Sequence, residues 1–277
     1  MRHQEGHLIA SDGLDLFFQV WLPDTPPKAV LLIAHGMGEH GGRYQNYVDY
    51  FAPRGCALYA ADMRGCGRSG GKRGHVDRFD DFVDDFRRLH ETAHAAQPDA
   101  PIVLLGHSYG SLIVLTYGLR YPNDVSGVIS SGTALRDALP YPNWLRAVIR
   151  RVGRVLPNVS VPSGLKPEFI SRDATVVTTY TADPLVHSVA TLRWASEAAA
   201  CREWIMAHAA EWSLPLLMLH GVDDRICLPA GARAFQEKAS GNRIELRVYD
   251  GLYHEVHNER GKATVFRDVE AWLEARL

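Results

Sequence analysis

The chain has 277 residues, ample for one sizeable core, arranged either as one domain with an insertion or as two domains. A hydrophobic fraction of 46%, a charged fraction of 22% and a formal net charge of -2 are ordinary for a soluble globular protein and give no reason to expect a nucleic-acid partner. Four cysteines (Cys56, Cys66, Cys201 and Cys227) show neither metal-ligand pairing nor a dense disulfide framework, so a reducing, cytoplasmic setting is expected.

In chain order, MRHQEGHLIASDG holds no apolar h-region, so no signal peptide is expected, and no apolar run is long enough to span a bilayer. Leu14 to Leu22 alternates partly and ends at Pro23, which predicts an antiparallel strand. Ala29 to Ala34 (AVLLIA) is a continuous apolar run, hence a strand buried on both faces, and Gly36 to Gly42 is a glycine-rich loop. Tyr44 to Phe51 has helical spacing; Cys56 to Ala61 is another buried strand, and RGCGRSGGKRG (64 to 74) is a long polar loop. Phe79 to His94 is helical, with Phe82, Phe86 and Leu89 on one face. A short buried strand at Ile102 to Leu105, a helix after Gly110 and a strand at Val125 to Ser131 follow. From Thr133 to about Cys201 prolines punctuate the chain (140, 142, 157, 162, 167, 184) and no buried strand is predicted; the segment reads as a helical cap. The strand–helix rhythm resumes at Leu214 to His220, a helix around Ala230 to Ala239, a strand at Ile244 to Tyr249 and a final amphipathic helix. Strands alternating with helices predict an α/β fold with a mainly parallel sheet covered on both faces.

The chemistry is carried by Gly106-His107-Ser108-Tyr109-Gly110 at the strand-to-helix turn. G-x-S-x-G in that context is a nucleophile elbow: small flanking residues let strand and helix approach while the serine takes a strained backbone. A serine hydroxyl needs a base, and the base an orienting acid, in chain order serine, acid, histidine. Two downstream loops fit. LLMLH runs into Gly221-Val222-Asp223-Asp224-Arg225, and IELRVYD runs into Gly251-Leu252-Tyr253-His254. Both strands should run parallel to the elbow strand, so both loops open on the same sheet edge. His254 is the expected base, with His257 weaker; His35, His40 and His107 violate the chain order. Spacing does not separate Asp223 from Asp224. Asp62 precedes the serine and Asp183 lies in the cap. One oxyanion donor is the amide of the residue after the nucleophile, Tyr109; the other comes from the glycine-rich loop, where Met37 stands between two glycines. That loop has no Walker lysine and no G-x-G-x-x-G, which argues against nucleotide binding. Such chemistry calls for no metal and no cofactor.

These pieces resemble the monoacylglycerol lipase branch of the α/β-hydrolases, related to bacterial lysophospholipase-like proteins. The resemblance rests on HGMGEHGGRY (35 to 44), ADMRGCGRSGG (61 to 71), GHSYG (106 to 110), ADPLV (182 to 186), LHGVDDRIC (219 to 227) and YDGLYHEVHNE (249 to 259). It implies the α/β-hydrolase fold, a mostly parallel sheet flanked by helices, with the core at 1–132 and 206–277 and the cap at 133–205. It implies a serine carboxylic-ester hydrolase acting on monoacylglycerols or similar single-chain lipid esters; a lysophospholipase, a carboxylesterase, an acyltransferase or a non-catalytic lipid binder are the alternatives. By motif it places the acid at Asp224, the base at His254 and the oxyanion amides at Met37 and Tyr109. Glu39, Arg43 and His257 match headgroup-binding positions, though Glu39 and Arg43 fit an ion pair that holds the loop equally well. Cys227 matches a cysteine near the active site of relatives, and Tyr109 stands where they often have methionine, which would narrow or polarise the site.

Within the cap, YPNWLRAVIRRVGRVLPN puts Trp144, Leu145, Val148, Ile149, Val152, Val155 and Leu156 on one helical face and Arg146, Arg150, Arg151 and Arg154 on the other. Such a helix either packs on the core with solvated arginines or meets an anionic membrane surface transiently. Trp144, Leu145 and Ile149 are the expected acyl-entrance residues.

Overall fold

The computed structural model describes residues 1–138, 142–239 and 243–276; within the helix at 143–155 the side chains of 143, 145–147 and 150 also lie outside the description. In chain order the strands are β1 (Arg2–Ile9), β2 (Asp15–Leu22), β3 (Ala29–Ala34), β4 (Cys56–Ala61), β5 (Ile102–His107), β6 (Gly127–Ser131), β7 (Ser160–Pro162), β8 (Val189–Thr191), β9 (Leu216–Gly221) and β10 (Ile244–Tyr249). The helices are α1 (Gln45–Phe51), α2 (Phe79–Ala96), α3 (Tyr109–Arg120), α4 (Asn143–Val155), α5 (Ala174–Ala182), α6 (Leu192–His208), α7 (Pro229–Lys238) and α8 (Lys262–Glu274). Eight strands form one sheet in the order β1-β2-β4-β3-β5-β6-β9-β10. β2 pairs antiparallel with both β1 and β4, and the remaining pairs are parallel.

The apolar runs explain the layering. In β3, Val30 and Leu32 face the layer that holds α2, α3 and α7, while Leu31 and Ile33 face α1 and α8. Alternate side chains of a strand point to opposite faces, so an unbroken apolar run is the signature of a strand covered twice. α8 buries Val265, Phe266, Val269, Trp272 and Leu273, its one apolar stripe. α6 belongs to the first layer too: Trp194, Ala198, Cys201 and Ile205 join the core against α2 and α3, so the expected 205/206 boundary falls inside this helix. All four cysteines are free and buried.

The strand order positions the site. From β3 the chain moves to β4 on one side and then to β5 on the other, so the loops after β3 and β5 rise side by side, with Ala34 registered against Gly106. A crevice at the carboxyl ends of such diverging strands is where open α/β sheets bind ligands.

The segment over this edge is tied down on two sides. His187 N–H donates to Gly38 O (2.8 Å), and His40 Nε2 meets Asp183 Oδ2 (2.9 Å), fastening it to the loop after β3. Glu255 N–H donates to Ile170 O (2.8 Å) and Ser171 Oγ to Asn258 O (3.2 Å), fastening it to the loop after β10. β7 and β8 pair as a two-stranded ribbon that the sequence reading lacked. α4 is held differently. A Cβ at Gly153 would strike the Leu192 carbonyl, so close backbone approach to the start of α6 fixes the helix. Trp144 (67% exposed), Val148 (47%) and Val155 (75%) stand in solvent, while Ile149 is half-buried. The apolar face read from the sequence is therefore divided, with Trp144, Val148 and Val155 turned outward. Leu145 and Arg150 fall outside the described side chains.

Candidate active site

Ser108 is the one non-glycine residue among those described with a left-handed backbone, φ 51° and ψ -120°. Its amide donates to Ser131 O (2.8 Å) on the neighbouring strand. A Cβ at Gly106 would meet Gly110 O at 2.5 Å, and one at Gly110 would strike the Ala34 carbonyl. Only glycine at both flanks lets β5, α3 and β3 converge under the serine, which is the physical content of the elbow.

The two downstream loops meet beside it. His254 Nδ1 donates to Asp224 Oδ2 (2.8 Å). Asp224 Oδ1 accepts from the amides of Ile226 (2.8 Å) and Cys227 (2.9 Å). Asp224 is buried, whereas Asp223 is exposed. Burial pushes the Asp224 carboxyl up, but the charge of His254 and the imidazole donors outweigh it and hold it well below the usual carboxylate range. Burial likewise pulls His254 down, and Asp224, facing it, more than reverses this, so the imidazole binds its proton above the ordinary histidine value. His254 Nε2 is buried with no hydrogen-bond partner, on the wall of a cavity that Ser108 shares. Catalytic contacts of this kind are commonly long before substrate arrives. The Cys227 thiol lies against the Ser108 hydroxyl.

This cavity is a small cleft that opens to solvent. Met37, Glu39, His107 and Glu255 join Ser108 and His254 on its core side; Leu165, Ile170 and Tyr180 close it from above. Met37 sits in the loop whose next residue, Gly38, has φ 73°. Tyr109 opens α3, where the first amides lack intrahelical acceptors. The Tyr109 ring does not narrow the site as expected: it is buried in the core layer, 4.8 Å from Trp194 and 5.5 Å from Phe82.

The three positions matched to headgroup binding separate. Glu39 reaches the cavity wall while its Oε1 accepts from Gly36 N (2.5 Å) and Tyr44 Oη (2.9 Å). Burial raises its carboxyl, but Arg43 and His35 pull it down to about 2. Arg43 donates Nη1 and Nη2 to the two oxygens of Glu255 (2.8 Å each), pairs with Glu39 through Nη1 and lies over the Tyr180 ring at 4.5 Å. Its guanidinium thus bolts together the loop after β3, the loop after β10 and α5. His257 is buried behind the wall, stacked on Tyr44 (5.2 Å) and edge-on to His107 (4.8 Å), and desolvation drops it to about 4. Trp144 and Ile149 are not on the wall. Glu255 was missed by sequence reasoning, although it adjoins His254; Leu165, Ile170 and Tyr180 carried no signal because the sequence around them shows no regular apolar period. No cluster of three or more metal-ligating side chains occurs among the described residues.

A family profile described as serine aminopeptidase, S33, matches residues 25–261. A monoacylglycerol lipase of Mycolicibacterium smegmatis is 39% identical over 96% of this chain and 95% of its own length. The chain belongs to the monoacylglycerol lipase branch of these serine hydrolases. The monoacylglycerol lipase fold extends over its full length: the crystal structure of the Paleococcus ferrophilus monoacylglycerol lipase superposes with a TM-score of 0.86 at 27% identity, covering 100% of both chains. A phospholipase of Bacillus subtilis, YtpA, is 28% identical over 92% of this chain and 98% of its own length. As a member of this branch the protein is a serine ester hydrolase with the α/β-hydrolase fold.

Proposed function

We propose that the protein hydrolyses monoacylglycerols, or similar single-chain lipid esters, through an acyl-enzyme formed on Ser108. The observation that carries this reading is the buried Asp224–His254 pair, whose imidazole lies on the wall of the cavity that the strained Ser108 shares. His254 Nε2 takes the Ser108 proton as Oγ attacks the ester carbonyl. The amides of Met37 and Tyr109 receive the oxyanion. Collapse breaks the ester bond, His254 returns the proton to the departing alcohol, and water repeats the sequence to release the fatty acid. Asp224 holds His254 Nδ1–H and stabilises the imidazolium.

The cavity wall also favours an uncharged headgroup. Glu39 and Glu255 face it, and the donors of Arg43 are engaged by those same two carboxylates. A glycerol hydroxyl can donate there; a phosphate meets repulsion. On the cap, outward Trp144, Val148 and Val155 with exposed Arg151 and Arg154 suit transient contact with an anionic lipid surface, from which insoluble substrate is drawn. No described helix is long and apolar enough to cross a membrane. The test is turnover of monoacylglycerols, lysophospholipids and a short p-nitrophenyl ester, with Ser108→Ala as the control. Monoacylglycerol should be preferred, and Ser108→Ala should lose roughly 10⁶-fold in kcat, as in a related triad. A preference for lysophospholipid would overturn the headgroup reading; an active Ser108→Ala would overturn the mechanism.

A further inference from the structure

Asp224 is shared by two imidazoles. Its Oδ2 accepts from His254 Nδ1 at 2.8 Å and lies 3.0 Å from Nε2 of His220. His220 is wholly buried near the end of β9, behind four apolar residues, Leu216 to Leu219. Its Nε2 is also 2.9 Å from the carbonyl of Cys227. Both neighbours of this nitrogen are acceptors, so Nε2 carries the proton and donates to the pair. Nδ1 is buried without a partner. An orphaned buried polar atom is destabilising. Packing alone would be better served by a fifth apolar residue, so the interior of β9 gives no reason for an imidazole.

We propose that His220 is a positioning residue for the acid of the triad, an inference that rests on the reading of Asp224 as that acid. The backbone amides of Ile226 and Cys227 fix only Oδ1. Nε2–H of His220 is aimed instead at Oδ2, the oxygen that His254 must meet. The same N–H holds the Cys227 carbonyl, so one donor locks both the side chain and the turn that delivers two of its amides. Without it Oδ2 loses a donor and the turn that carries the Oδ1 amides loses its tie at Cys227, so His254 Nδ1–H meets a less firmly held acceptor.

The test compares kcat and KM on a short p-nitrophenyl ester for His220→Leu, His220→Gln, His220→Asn and Asp224→Asn. His220→Leu should lower kcat by roughly 10–100-fold, as for other groups that orient a reacting ligand, and leave KM unchanged. His220→Gln, whose amide N–H reaches as far as Nε2, should recover kcat to within about threefold of the parent; the shorter His220→Asn should not. A folded His220→Leu with parental kcat overturns the proposal, as does equal loss in the Gln and Asn variants. If His220→Leu does not fold, the Gln–Asn contrast decides alone. Asp224→Asn separates the layers of the argument: inactive with an intact His220→Leu, it refutes only the role of His220; active, it removes the acid assignment on which that role depends.

Discussion

Asp224 and Asp223 are one peptide bond apart and differ in everything that matters to a triad. The first is buried and takes four donors; the second is in solvent. Asp224→Asn should therefore lower kcat by about 10⁴-fold, because an amide favours the wrong imidazole tautomer, while Asp223→Asn should stay within a few-fold. The reverse ranking in steady-state assays would sink the assignment. Activity also needs His254 unprotonated at Nε2. Since Asp224, Glu255 and Glu39 face that ring and hold its pKa above the ordinary 6.5, kcat/KM should fall with decreasing pH, with its midpoint above 6.5. In Asp224→Asn the largest raising influence is gone, so the residual activity should keep a midpoint at lower pH. At this scale the elbow serine and the histidine were legible because each lies at a fixed offset from a strand. Glu255 was not, because its partner Arg43 lies 212 residues away in sequence; nor was His220, because it sits inside an apolar strand run and its contact with nearby Asp224 appears only once the turn is folded.

The central strands were legible to within two residues because double burial writes an apolar run, as in AVLLIA and CALYAA. β1 was not, since its side chains are mostly exposed and it pairs with β2 along one edge only. β7 and β8, three residues each, are too short to show a period. α4 was legible as a helix, but not which part of its apolar surface is covered. That division makes a prediction. Trp144→Gln together with Ile149→Asn changes one outward and one half-buried position of a helix whose described side chains supply no wall to the cavity. Turnover of long-chain monoacylglycerol in vesicles should fall several-fold, with a short soluble ester hydrolysed as before, because each methylene withdrawn from water is worth about 0.8 kcal/mol. Equal loss on both substrates would make α4 a purely structural cover, and an unchanged ratio would remove it from lipid handling.

Across the whole molecule, buried imidazoles make folding depend on acid. His35, His107, His187 and His257 are desolvated and bind protons less readily than in the open chain, His257 only at about 4. Folded values lowered from 6.5 mean stability that is complete above that pH and drains as pH falls through them. Glu39, lowered from 4.5 to about 2, extends the loss over that lower window. His254, raised, acts in the opposite sense, stabilising below 6.5 and losing this as pH rises through its folded value. Four imidazoles oppose one, so the urea midpoint should decline steadily from pH 7.5 to pH 4; a flat midpoint over that range would contradict the burial described. The cysteines give the same molecule an internal clock. Burial lifts the Cys56 thiol to about 11, Cys66 and Cys201 to about 12, and Cys227 higher still. At neutral pH all four are protonated and out of reach, so an aromatic disulfide reagent should register almost no thiol until the chain opens. Each marks a different seam: Cys56 the start of β4, Cys66 the contact with His187 under the cap, Cys201 the α6–α3 packing at Thr116, Cys227 the acid loop. Single-cysteine variants would then time the seams separately, and the order in which they react would give the order in which the fold comes apart.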